Sequence, residues 1–156
     1  MIIDTTYLLP LAKINIPTNL FNAILQKKVD ISIYDLSTSL ISIFELQAKA
    51  AKLGIPHKYV SKAIRFIMKY LNVIDFWDEV IINISFDLRK ILPDYIDCVI
   101  VATAIKCGDV LLTEDSRIHK AKKHIHKSYG IKIMDYNQLL KERRQYWTKP
   151  NKEHEK

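Results

Sequence analysis

Cysteine is scarce. Cys98 and Cys107 are the only two, too few for a disulfide framework, and no Cys-x-x-Cys or Cys/His set supports a zinc site. Three glycines and five prolines exclude collagen-like and low-complexity chains. No apolar run approaches the roughly 18 residues that cross a bilayer. A secretory leader is not expected either, because no basic stretch precedes the first apolar residues and Asp4 interrupts them. The expected setting is a reducing cytoplasm, away from membranes.

What the sequence does hold is enough apolar material for a core. Of 156 residues, 49% are hydrophobic and 26% charged, the balance of one ordinary globular domain. Without repeats or Gly/Ser linkers, residues 1–147 read as a single domain and residues 148–156 as a polar tail. Lys and Arg number 24 against 17 Asp and Glu, a net charge of +7 that favours polyanions. Charge alone does not choose between nucleic acid and an anionic membrane surface.

Short apolar runs alternate with longer helical stretches, which predicts an α/β domain with a mainly parallel five-stranded sheet. The predicted strands are Ile2–Asp4, Ile31–Tyr34, Val73–Phe76, Val110–Thr113 and Ile131–Met134. Helices are predicted at about Asn19–Lys28, Leu40–Leu53, Lys58–Leu71, Asp78–Lys90, Tyr95–Cys107 and Tyr136–Tyr146. Within the fourth helix, Glu79–Phe86 would also suit a strand.

In parallel α/β sheets, ligands collect beyond the carboxyl ends of the strands. Asp4 follows Met1-Ile2-Ile3, and Asp115 follows Val110-Leu111-Leu112-Thr113-Glu114, so both emerge at one sheet edge. Asp97 opens a helix apolar on nearly every side, and Glu45 sits mid-helix among apolar neighbours. Carboxylates so placed need a partner. Brought together they stay ionised only around a divalent cation or with raised pKa values, and oxygen-only ligands suit Mg²⁺ or Mn²⁺. Asp4, Asp94 and Asp115 can also be read simply as helix caps. Capping does not explain Glu45.

The blocks Ile2-Ile3-Asp4-Thr5-Thr6, Ser42-Ile43-Phe44-Glu45-Leu46 and Asp97-Cys98-Val99-Ile100-Val101-Ala102-Thr103-Ala104, the last running into Leu111-Leu112-Thr113-Glu114-Asp115, resemble the PIN-domain ribonucleases, and within them the VapC-like toxins. The resemblance implies a three-layer α/β/α fold and a cluster of Asp4, Glu45, Asp97 and Asp115 that is both catalytic and metal-holding. It implies accessory hydroxyls at Thr6 and Thr113. Asp94 stands as a competing acid, and Glu114 falls where many relatives have a basic or neutral residue. The implied activity is Mg²⁺- or Mn²⁺-dependent endoribonucleolytic hydrolysis leaving a 5′-phosphate and a 3′-hydroxyl. The implied setting is the toxin of a type II toxin–antitoxin pair, with the antitoxin a separate chain.

An acidic cleft needs basic residues nearby to hold RNA. From Ser116 to Met134 the chain has no acid, and Arg117, Lys120, Lys122 and Lys123 are the expected RNA contacts, with Lys127 and Lys132 beside them and Lys141, Arg143 and Arg144 as a second group. A lysine-rich solvated face reads the same way. Tyr129, Tyr136, Tyr146 and Trp147 suit base stacking or packing, and His119, His124 and His126 suit surface or phosphate contacts rather than zinc. Cys98 and Cys107 suit helix packing. The apolar stripe of Lys58–Leu71 fits a homodimer, an antitoxin groove or the core alike. Two other classes compete: a PIN-fold RNA-binding or scaffold protein that does not cleave, and a receiver-like signalling domain, which the helical position of Glu45 opposes.

Overall fold

The computed structural model describes residues 1–146, with side chains through residue 142. Side-chain readings at Arg143, Arg144 and Tyr146, and those at Trp147 and the tail 148–156, lie outside the described residues.

Five short strands, β1 (Ile2–Ile3), β2 (Ser37–Ser39), β3 (Asn72–Ile74), β4 (Leu111–Leu112) and β5 (Ile133–Met134), pair in parallel in the order β3-β2-β1-β4-β5. Their side chains alternate between faces as the pleat requires. Ile2, Leu111 and Ile133 enter one apolar cluster, and Ile3, Leu112 and Met134 enter the other.

The helices are α1 (Thr5–Leu8), α2 (Leu20–Leu25), α3 (Leu40–Lys52), α4 (His57–Tyr70), α5 (Glu79–Leu88), α6 (Tyr95–Cys107), α7 (Ser116–Tyr129) and α8 (Tyr136–Tyr146). Residues of α1, α2, α3, α4 and α8 pack on the Ile3 face, and those of α5, α6 and α7 on the Ile2 face. The result is the expected three-layer α/β/α sandwich. Asp97 through Ala104 of α6 are all buried, as a helix apolar on every side must be. Gly108 ends it in the left-handed region at φ +60°, which a glycine adopts without a Cβ clash.

Two sequence expectations change. Ile31–Tyr34 is not a strand, because Ser32 and Asp35 cap each other's backbone amides and close a 3₁₀ turn at Ile33–Asp35. The strand follows as the polar Ser37–Ser39, its burial made tolerable at Thr38 by a hydrogen bond to the Ile3 carbonyl at 3.1 Å. Lysine-rich α7 was not among the predicted helices, yet Ile118 and Ile125 are buried and Ala121 and Tyr129 pack beside them, a one-sided helical stripe. Glu79–Phe86 is helical, its start capped by Asp78 on the amides of Val80 and Ile81. The stripe of α4 goes mainly to the core, with Ala63 and Ile67 buried and Met68 left exposed. Among the described residues, no helix is long and apolar enough to cross a membrane.

Candidate active site

From β1 the chain builds outward to β2 and β3 on one side, and β4 and β5 complete the other. The order reverses between β1 and β4, so a crevice opens beyond their carboxyl ends. Asp4 leaves β1 there, and Thr113 leaves β4 beside it. Thr113 Oγ1 donates to Asp4 Oδ2 at 2.6 Å, while Asp4 Oδ1 accepts the Thr5 amide at 2.5 Å and caps α1. Thr113 also accepts the Asp115 amide at 3.0 Å. One hydroxyl therefore ties the first acid to the last.

Glu45 approaches from α3. Its Oε2 accepts from the Thr5 hydroxyl, and its Oε1 pairs with Lys49 one turn along at 2.9 Å. It is half-buried, so only part of its surroundings is core. Asp97 comes from the first turn of α6, buried, with Oδ2 lacking a hydrogen bond of good geometry. Asp115 caps α7 through Oδ1, which accepts the amides of Arg117 and Ile118 at 2.7 and 3.3 Å. Its Oδ2 is left for the crevice, where Arg117 Nη2 stands 3.0 Å away and also 3.0 Å from Asp97 Oδ2. Asp4 and Asp115 are thus caps and cleft acids at once, one oxygen serving each purpose.

The electrostatics follow. Burial, reinforced by Asp115 and only partly offset by Arg117, pushes Asp97 up to about 7. Burial also pushes Asp4 up to about 6, against the hydrogen bond from Thr113 and with Glu45 adding to the rise. Burial raises Asp115 as well, but the hydrogen bonds from Arg117 and Ile118 outweigh it and leave the carboxyl below its usual value. Neighbouring acids act on one another along the line Glu45, Asp4, Asp97, Asp115.

Among the described residues, no three His, Cys, Asp or Glu side chains already stand close enough to hold a metal ion. The donor set nonetheless fits a hard divalent cation in its chemistry: carboxylate oxygens only, with the buried Asp97 Oδ2 short of a hydrogen bond. A guanidinium stands where two of the acids converge.

The other expected residues are placed as follows. Thr6 has no partner recorded at the acids, and the neighbouring, fully buried Thr5 takes the hydroxyl position instead. Asp94 caps α6 through the Ile96 amide at 2.8 Å. Glu114 accepts from the Tyr7 hydroxyl and from the Tyr136 amide at 2.8 Å, tying α1 and α8 to the end of β4. Lys120 and Lys123 are exposed on α7, while Lys122 reaches Gln138 at 3.3 Å. His119 lies 2.8 Å from the Thr113 carbonyl and His126 3.0 Å from that of Ile131. Cys98 is buried as expected, but Cys107 is exposed. Ser39 at the end of β2 and Ser42 in α3 also have buried hydroxyls that find no partner among the described residues.

The PIN domain model matches residues 1–124. The chain belongs to the PIN-domain family. PIN domains are generally nucleases and typically use divalent metals. This PIN domain is similar in fold to VapBC2 from Rickettsia felis bound to a DNA fragment from their promoter, with TM-score 0.60, 19% identity, and coverage of 86% of this chain and 96% of that one. It is also similar to FitAcB from Neisseria gonorrhoeae, with TM-score 0.55, 16% identity and coverage of 85% and 95%. A toxin–antitoxin complex from Klebsiella pneumoniae matches with TM-score 0.52, 21% identity and coverage of 74% and 86%. Likeness at these identities is one of fold. No curated protein sequence matches this PIN domain significantly.

Proposed function

We propose that the protein is a Mg²⁺- or Mn²⁺-dependent endoribonuclease acting in the cytoplasm. The observation that carries this reading is the arrival of Asp4, Glu45, Asp97 and Asp115 from separate elements at the switch point between β1 and β4. Asp4, Asp97 and Asp115 would hold the cation, with Glu45 holding it or orienting the attacking water. When bound, the ion lowers the pKa of water and offsets charge on the phosphoryl oxygens. Thr113 fixes the Asp4 carboxylate, and Thr5 with Lys49 fixes Glu45. The exposed basic face of α7 contacts backbone phosphates. Attack by water rather than a 2′-hydroxyl leaves a 5′-phosphate and a 3′-hydroxyl.

A toxin role is proposed with it, supported by the fold shared with toxin–antitoxin complexes. Surfaces for an antitoxin or a second copy are supported by exposed Phe44 and Trp77 beside a groove of about 400 Å³ lined by Leu40, Ile41, Ile43, Phe44, Gln47 and Phe76. A second reading, a PIN domain that binds RNA without cutting it, is favoured by the guanidinium between Asp97 and Asp115. One experiment separates the two: labelled RNA is incubated with Mg²⁺, Mn²⁺ or chelator, alongside Asp4→Asn and Asp97→Asn. Cleavage that needs metal and both aspartates supports the nuclease; binding without cleavage under every metal supports the second reading.

A further inference from the structure

On α7, Arg117 is the basic residue that turns toward the acids of the crevice. Lys120, Lys123 and Lys127 are exposed, and Arg117, exposed as well, turns its guanidinium back across the first turn of α7 onto two acids. Its Nη2 lies 3.0 Å from Asp97 Oδ2 and 3.0 Å from Asp115 Oδ2, and its Nε donates to Asp115 Oδ1 at 3.3 Å. A divalent ion held by Asp97 and Asp115 would have to compete with Nη2 for the same carboxylate oxygens. The ion and the guanidinium carry like charge, so each disfavours the other there. The Arg117 side chain is itself 46% exposed, so water can take up the guanidinium when it leaves.

We infer that Arg117 is a built-in counter-ion that competes with the divalent cation for Asp97 and Asp115, so that the ion enters only as the guanidinium swings out. Displaced, it remains tethered to the first turn of α7 at the crevice, where a planar fork suits a phosphate. The inference rests on the metal-dependent reading above and deepens it.

The test needs no RNA. Mn²⁺ is titrated into wild type, Arg117→Gln and Arg117→Lys at pH 7.5, and free Mn²⁺ is read by electron paramagnetic resonance. Removing the competing charge should tighten Mn²⁺ binding about three- to tenfold in Arg117→Gln, with Arg117→Lys between it and wild type. Equal or weaker binding by Arg117→Gln overturns the inference and leaves the nuclease reading standing. If none of the proteins takes up Mn²⁺, both fall. Should the glutamine variant fail to fold, the wild-type Arg117 Nε–H signal in NMR decides: it should shift saturably with Mg²⁺, and a signal unmoved by saturating Mg²⁺ overturns the inference.

Discussion

Single hydroxyls and carboxyls in the crevice have separable effects. Thr113 serves Asp4 and the Asp115 amide together, so Thr113→Val should leave a buried carboxyl and a half-buried amide short of partners. A loss of about 1–3 kcal/mol in chemical denaturation is expected, larger at pH 8 than at pH 5, because the ionised Asp4 accepts that bond more strongly than the neutral acid. Asp97→Asn should act in the opposite direction on stability. Asp97 is buried and pushed up to about 7, so its charge is a burden on the metal-free fold, and the neutral variant should melt higher in chelator at pH 8, by about 1–3 kcal/mol. RNA cleavage should fall to background in the same variant. A variant that cuts normally would remove Asp97 from the chemistry.

At the scale of elements, α7 carries the argument for RNA. Ile118 and Ile125 anchor it, leaving Lys120 and Lys123 on the exposed face and Lys122 half-buried against Gln138. Replacing all three by Gln should weaken RNA binding without changing the melting curve. Each lost phosphate contact should flatten the plot of log affinity against log salt by about 0.7, so an unchanged slope would clear the helix of that duty. The helix was not predicted because its apolar residues are sparse and its isoleucines sit among lysines and histidines, a pattern that reads as a solvated stretch. Strand β2 escaped for the converse reason: Ser37-Thr38-Ser39 is polar in sequence, and only its place between β1 and β3, with Thr38 bonded to the Ile3 carbonyl, makes it a buried strand. The acids were legible because each falls at a strand end or in an apolar helix. The choice of Thr5 over Thr6 was not, since it turns on which side of a four-residue helix faces Glu45, nor was the fold-back of Arg117 onto an acid in another helix.

For the whole molecule, the crevice makes stability depend on pH in a direction opposite to ordinary acid denaturation. Asp4 and Asp97 titrate at about 6 and about 7 when folded, against roughly 4 in an unfolded chain. Between those values the folded state holds more protons than the unfolded one, so stability falls as pH rises. The stabilisation from these two groups is complete below roughly pH 4 and is lost as pH climbs through 6 and 7, a change of about 3 kcal/mol for Asp4 and about 4 kcal/mol for Asp97. Asp115 works the other way: its stabilisation is present above the ordinary carboxyl value and disappears below it. In chelator, the melting temperature should therefore rise from pH 8 to pH 5 and turn downward only in stronger acid. A divalent ion binds the ionised carboxylates, so its stabilising effect should grow over the same interval and be largest at pH 8. Melting curves at pH 5, 6, 7 and 8, each with Mg²⁺ and with chelator, check both halves. A metal-free curve that is flat across this range would mean that Asp4 and Asp97 keep their charges without strain, and the electrostatic demand for a cation would lose its basis.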